Sequence, residues 1–376
     1  MSNVTKSLSA IPLLDLKAQY ETIRGEITTA VEAVCESQRF IGGPEVTACE
    51  EEIAACCGCK FGVGMSSGTD ALLCGMMALG IGPGDEVILP SFTFFATGGC
   101  VSRLGARPVF VDIDPETYNT TAALIEPAIT EKTKLIIPVH LFGQCADMGP
   151  ILELAESRSI PVLEDAAQTI GATHHGRPAG SMGRLGTLSF FPSKNLGCFG
   201  DGGMIVTNDE ALTERCRILR NHGGQPKYYH KLIGGNFRLD AIQAAVVRVK
   251  LKHLPSWSKK RAENAGRYDN LFANSVVKTP RIAGGNVSIF NQYVVAVPNR
   301  DELRKHLTAE RIGTEVYYPV PLHLQDCFAD LGGKAGDLPH CERAAREVLA
   351  LPIYPELTEA DQQQIANTIL SFYAGT

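Results

Sequence analysis

Between residues 15 and 37 the apolar side chains Leu16, Tyr20, Ile23, Ile27, Ala30, Val31 and Val34 recur at three- and four-residue steps. That spacing places them on one face of a helix. The helix is expected to stop before Gly42, Gly43 and Pro44, and a second one is expected over 45–57. Beyond it the pattern changes to short apolar runs at 61–65, 86–89, 108–113, 135–139, 161–164, 187–191 and 204–207. Most are rich in Val, Ile and Phe, are bounded by Gly, Pro or Asp, and alternate with helix-length segments. This is the pattern of an α/β fold with a mostly parallel, seven-stranded sheet covered by helices on both faces. Helices at 239–254 and 258–272 lead out of this large domain. Strands at 287–297 and 314–318 then mix with helices at 301–310, 340–349 and 358–372, as in a smaller α+β domain. The expected division is 1–254 and 255–376, with no internal repeat.

Composition narrows the function classes. With 376 residues, 44% of them hydrophobic, the chain exceeds the length at which one core stops growing. A formal net charge of -6 without a long basic run argues against nucleic acid or a membrane surface as partner. The first sixteen residues hold one lysine and an apolar run of only four residues, 11–14, too short for a leader or a membrane span, so a cytoplasmic protein is expected. The twelve cysteines lie largely in apolar segments and read as reduced thiols. Cys56, Cys57 and Cys59 have no His or second Cys pair at zinc spacing, so no metal is expected.

Ligands of such folds bind at the carboxyl ends of the strands. Ser66, Ser67, Gly68, Thr69 and Asp70 follow the first run and open a helix. Free N–H groups there, with small residues and hydroxyls, suit a phosphate, although Ser67 or Thr69 could equally cap the helix. The stretch 90–97 brings Phe92, Phe94 and Phe95 to another strand end, where one ring could stack on a planar ligand or pack in the core. Asp165 closes the run 161–164 and needs a cationic or hydrogen-bonding partner if buried. Lys194 lies between the apolar run ending at Phe191 and a glycine-dense turn, just past Pro192. A lysine at the edge of a core loses its proton more easily, and the neutral amine forms a Schiff base with an aldehyde. An anion cradle, an aromatic face, a buried carboxylate and a displayed lysine, in chain order, are the parts needed to hold pyridoxal 5′-phosphate.

From Pro12-Leu13-Leu14-Asp15-Leu16 through Ser67-Gly68-Thr69-Asp70-Ala71-Leu72 and Gly82-Pro83-Gly84-Asp85-Glu86-Val87 to Tyr318-Pro319-Val320-Pro321-Leu322-His323, the chain resembles the DegT-type nucleotide-sugar aminotransferases. These belong to the fold-type I pyridoxal-phosphate enzymes. The resemblance implies that Lys194 carries the cofactor and moves the substrate proton, while Asp165 pairs with the pyridine nitrogen. Gln168, where many relatives have His, would meet the phenolic oxygen; Ser67, Gly68, Thr69 and Ser189 would hold the phosphate. Phe94 would stack on the ring, with Phe92 as the alternative. Asn236, in Gly234-Gly235-Asn236-Phe237-Arg238, would reach the phosphate of a neighbouring subunit, which implies a homodimer with shared sites. Tyr317 and His323 fall in the family's sugar-binding segment; Arg238, beside Asn236, is a candidate for the substrate's anionic groups, which a chain of net charge -6 must meet locally, or else an interface salt-bridge residue.

The implied reaction is transamination from glutamate to a keto-sugar nucleotide for polysaccharide or related amino-sugar biosynthesis. The pieces Leu196-Gly197-Cys198 and Gly143-Gln144-Cys145-Ala146-Asp147 look most like the branch acting at C3 of a UDP-linked 3-keto-N-acetylhexuronate. Enzymes acting on dTDP-linked 3-keto- or 4-keto-6-deoxyhexoses are the alternative, and a non-catalytic regulatory protein of the same fold is the remote one. Relatives that dehydrate have His in place of the lysine, so Lys194 favours transfer.

Overall fold

The computed structural model describes residues 10–375; residues 1–9 of the stretch read for a leader lie outside them. Its centre is a seven-stranded sheet. The strands are β1 (Phe61–Met65), β2 (Glu86–Pro90), β3 (Arg107–Val111), β4 (Thr133–Ile136), β5 (Leu163–Asp165), β6 (Leu185–Ser189) and β7 (Gly203–Thr207). Pairing runs β3–β2–β4 on one side and β5–β6–β7–β1 on the other. The bridges Ile136 to Val162 and Val139 to Asp165, both parallel, join β4 to β5. Within this sheet only β7 runs against its neighbours, β6 and β1.

Helices cover both faces: α1 (Leu16–Ser37), α2 (Pro44–Cys56), α3 (Gly68–Leu79), α4 (Phe95–Arg103), α5 (Ala122–Ile125), α6 (Met148–Ser157), α7 (Glu210–Arg220) and α8 (Ala241–Leu271). The apolar stripe read in α1 buries Ile23 and Ile27 against Val246, Val249 and Trp257 of α8. Asp15 starts α1 by accepting the Ala18 N–H at 2.8 Å. A separate core gathers Ala265 and Tyr268 of α8 with β8 (Tyr293–Ala296), α9 (Arg300–Ala309), β9 (Val348–Leu351) and α11 (Glu359–Ala374).

Several local expectations need correction. The two helices expected at 239–254 and 258–272 are one, α8, with Pro255 inside it. The domain boundary drawn at 254/255 therefore falls within a continuous helix that serves both cores. The run 314–318 is not a strand; its single bridge, Glu315 to Ala350, sits at the margin of β9. The helix expected to reach 349 ends earlier, as α10 (Pro339–Glu347), because Val348 begins β9, which pairs with β8. Among the described residues no helix is long and apolar enough to cross a membrane.

The sheet's centre is closed by a buried polar network. Glu164 is fully buried. It accepts the N–H groups of Gly180 at 2.8 Å, Met182 at 2.6 Å and Gly183 at 2.5 Å. His140 Nδ1 accepts the Ala146 N–H at 3.1 Å, so Nε2 carries the ring proton and donates it to Glu164 at 2.8 Å. Glu164→Ala should strand three N–H groups and an imidazole, and cost about 3–5 kcal/mol of stability in urea unfolding. A loss below about 1 kcal/mol would show that the network is dispensable.

Candidate active site

The chain ends of β1, β2, β5 and β6 converge on one place, and each delivers a functional group. β1 passes through Ser66 into α3, whose N-terminal turn is capped by Ser67: its hydroxyl accepts the Asp70 N–H at 3.0 Å. The Ser67 carbonyl accepts the Ala71 N–H at 2.9 Å. Of the four N–H groups that open a helix, those of Gly68 and Thr69 are then left for a ligand. Ser67 thus acts as the cap, the plainer of its two sequence readings. Close approach fixes this turn. A Cβ on Gly68 would lie 2.7 Å from the Ser189 Cβ at the end of β6, and one on Gly203 would lie 2.4 Å from the Ser67 carbonyl carbon. These two glycines bring the cradle against the segment that carries the lysine.

Asp165, the last residue of β5, is 5% exposed. The Thr97 hydroxyl donates to it at 2.8 Å and the Ala167 N–H at 3.2 Å. Burial nevertheless pushes its pKa up, outweighing these bonds and the charge of Lys194. Lys194 follows a turn in which its own N–H donates to the Phe191 carbonyl at 2.8 Å. Burial of the amine lowers its pKa to about 8, against the opposing pull of Asp165. At neutral pH roughly a tenth of such lysines are neutral, compared with fewer than about one in a thousand for an ordinary lysine.

Gln168 is held at both ends. Its Oε1 accepts the Phe142 N–H at 2.8 Å and its Nε2 donates to the Tyr318 hydroxyl at 3.0 Å. The backbone N–H orients the amide, which leaves a second Nε2 proton to offer. Phe94 is exposed at the start of α4, with its ring centroid 6.3 Å from that of Tyr318. Phe92 is fully buried among Tyr118, Phe142 and Tyr318, and is a core residue.

The more distal candidates divide. The segment of Asn236 and Arg238 runs beside the end of β1: Ser66 donates to the Phe237 carbonyl at 2.9 Å, and Met65 bridges Arg238. Asn236 is exposed; Arg238 is half-buried, with its Nε buried and without a partner. Tyr317 is half-buried. His323 is turned inward, its Nδ1 2.7 Å from the Ser91 hydroxyl and its Nε2 3.4 Å from Glu342. Sequence reading missed Thr97 and Tyr318. Both stood in stretches already singled out, but their partners are 68 and 150 residues away in the chain.

The model of the DegT/DnrJ/EryC1/StrS aminotransferase family matches residues 21–370. The pleiotropic regulatory protein of Geobacillus stearothermophilus is 50% identical over 366 residues, covering 96% of this chain and 98% of its own length. The UDP-N-acetyl-3-dehydro-alpha-D-glucosamine 3-aminotransferase of Acidithiobacillus ferrooxidans is 44% identical, covering 96% and 97%. The UDP-2-acetamido-2-deoxy-3-oxo-D-glucuronate aminotransferase of Pseudomonas aeruginosa is 43% identical, covering 93% and 97%. Among solved structures, S. venezuelae DesV in complex with a ketimine intermediate superposes with a TM-score of 0.95 at 43% identity, covering 97% of this chain and 99% of that one.

The depressed pKa of Lys194 has a measurable consequence. Below about pH 8 the lysine is protonated in both the folded and unfolded chain, and the folded state carries the cost of a buried ammonium. Between about 8 and its ordinary value of 10.5 the folded chain binds fewer protons than the unfolded one, so stability rises with pH. Cofactor-free wild type should therefore gain Tm relative to cofactor-free Lys194→Met as the pH is raised through that window. A constant difference would mean that Lys194 titrates as an ordinary lysine.

Proposed function

The chain belongs to the DegT/DnrJ/EryC1/StrS aminotransferase family, and we propose that it transfers the amino group of glutamate to C3 of a UDP-linked 3-keto-N-acetylhexuronate. At the level of class it is a pyridoxal-phosphate-dependent sugar-nucleotide aminotransferase. The observation that carries the chemistry is half-buried Lys194 with buried Asp165, beside the free N–H groups of Gly68 and Thr69 at the strand ends.

The residues fit the cofactor. Asp165 is a buried carboxylate whose hydrogen bonds do not offset its desolvation, which is the environment a protonated pyridine nitrogen would balance. Gly68 and Thr69 N–H groups, with Ser67 and Ser189 alongside, would take the phosphate, Phe94 the ring face and Gln168 Nε2 the phenolic oxygen. When bound, pyridoxal phosphate supplies an aldehyde that condenses with amines and a ring that withdraws electrons from the amine-bearing carbon. Lys194 would be the residue that holds the cofactor through its aldehyde. Its neutral Nζ then takes the proton from the substrate carbon and returns it during transfer. Asp165 would pair with a protonated ring nitrogen, and Thr97 and Ala167 fix its carboxylate. Gln168, a neutral donor at every working pH, favours an anionic oxygen opposite it.

Support for C3 comes from the names of two relatives, both of which act on a 3-keto (3-oxo or 3-dehydro) UDP sugar. The two named substrates differ in a carboxylate, and Arg238 is the candidate in this chain to meet one. Its buried Nε lacks a partner, and a guanidinium can meet a carboxylate on two hydrogen bonds. The relative named as a regulatory protein favours the alternative of a non-catalytic role; a chain that retains both Lys194 and Asp165 keeps the chemistry instead. A homodimer with shared sites is supported by apolar side chains left exposed, among them Phe94, Phe191 and Phe199 close in sequence to site residues.

The test is a panel of keto-sugar nucleotides offered with glutamate, with products identified by mass and NMR. The 3-keto hexuronate should be aminated at C3. Arg238→Lys should lower kcat/KM for it by about tenfold or more, and barely alter the glutamate half-reaction or a sugar without the carboxylate. Equal losses on charged and uncharged sugars would assign Arg238 to the diphosphate or a subunit contact. Sharing of sites is tested by mixing Asn236→Ala and Lys194→Ala proteins, which should partly restore activity as subunits exchange. No recovery despite demonstrated exchange would count against Asn236 acting across the interface.

A further inference from the structure

A second lysine is buried against the segment that follows Lys194. Lys250, on α8, is 3% exposed. Its ammonium donates to the Gly197 carbonyl at 2.6 Å and lies 4.8 Å from the centre of the Phe199 ring. Lysine is almost never buried without a partner, and the partners here are a backbone carbonyl and an aromatic face, not a carboxylate. Burial lowers its pKa to about 8, so it stays mostly protonated at neutral pH. Seven residues earlier, on the same face of α8, Gln243 holds Phe199 by its backbone. Gln243 Oε1 accepts the Phe199 N–H at 2.7 Å, and its Nε2 donates to the Phe199 carbonyl at 3.3 Å.

The segment gripped in this way is the one that follows Lys194. Gly197 folds back so tightly that a Cβ there would lie 2.4 Å from the Pro192 carbonyl oxygen. The Cys198 N–H donates to the Phe190 carbonyl at 2.8 Å, and its thiol lies 3.0 Å from the Phe190 carbonyl and 3.1 Å from that of Gly200. Asn195 ties the near end to the Ile289 carbonyl at 2.9 Å. Lys194 is thus the residue before a stretch fixed at Asn195, Gly197 and Phe199. Without the ammonium, the buried Gly197 carbonyl would lose its donor.

We propose that Lys250 and Gln243 are positioning residues for Lys194: α8 clamps residues 197–199 and so fixes where the reacting amine is presented. The inference rests on Lys194 being that amine. Lys194→Ala tests this by itself, since the variant should lose borohydride trapping of the cofactor whatever α8 does.

The clamp is tested with Lys250→Met, which keeps the length and apolar stem and removes the charge. Cys198 reports on the loop without any need for activity: it is buried, and burial pushes its thiol up to about 11, so it should resist alkylation in wild type. In cofactor-free Lys250→Met, iodoacetamide should label Cys198 about tenfold faster or more by peptide mass spectrometry. Cys49 and Cys74, buried elsewhere, should stay protected. The loaded variant should lose about ten- to hundredfold in kcat, with KM for the amino donor within about twofold. Unchanged Cys198 labelling, unchanged kcat, or equal exposure of all three thiols would each overturn the clamp. Should Lys250→Met fail to fold, Gln243→Met removes only the outer grip. It should raise Cys198 labelling by a smaller factor, and no rise would overturn the proposal equally.

Discussion

Two adjacent carboxylates at the end of the central strand set the terms for the rest of the molecule. Glu164 and Asp165 are both buried, and the two-residue period of a strand sends them to opposite faces. Each must be compensated where it lies. Glu164 is compensated within the chain, by three backbone N–H groups and His140. Asp165 is left with a hydroxyl and one N–H, and burial still raises its pKa. One carboxylate therefore closes the sheet's centre, and the other remains a demand for positive charge facing the ligand side. Similar residues, one position apart, take a structural and a chemical role because only one of them finds its partners in the fold.

The reversal of β7 has a comparable effect on the phosphate side. Because β7 runs antiparallel between β6 and β1, its first residue, Gly203, lies against the Ser67 carbonyl where α3 begins. Ser189, the last residue of β6, meets Gly68 from the other direction. The start of α3 and the end of β6 are thereby held in contacts too close for a side chain at 68 or 203. Small residues at 68, 189 and 203 read in the sequence as an anion cradle and a turn. In the fold they also set the distance between two functional groups.

What was legible in the sequence is what local pattern encodes. The seven apolar runs, the capped start of α3, and Asp165 and Lys194 at strand ends all follow from periodicity and from glycine and proline positions. Misreadings arose where tertiary packing overrode a local signal. The two helices expected at 239–254 and 258–272 leave Pro255 between them, yet α8 continues through it because both cores hold the helix, with Val246 and Val249 on one side and Ala265 and Tyr268 on the other. Val348 looked helical by continuity, and was captured by pairing with Ala296 of β8. Invisible altogether were the contacts between residues far apart in sequence: Thr97 on Asp165, Tyr318 on Gln168, Lys250 on Gly197. Nothing about Thr97 or Lys250 taken locally distinguishes it from an ordinary helix residue.

The two desolvated lysines, Lys194 and Lys250, show how a shared cost is put to different ends. Desolvation lowers both pKa values to about 8, so burial alone does not select a nucleophile. What differs is the partner. Lys250 donates to a fixed carbonyl and faces an aromatic ring, interactions stronger for the ammonium than for the neutral amine, which favour the charged form and hold it in one place. Lys194 has the Asp165 charge as its counterweight, and a protonated ring nitrogen beside Asp165 would weaken that counterweight. A positively charged group bound at Asp165 would then favour the neutral amine at 194 and leave the ammonium at 250 unaffected. The separation of roles follows from which neighbour a ligand can neutralise, and only the carboxylate is such a neighbour.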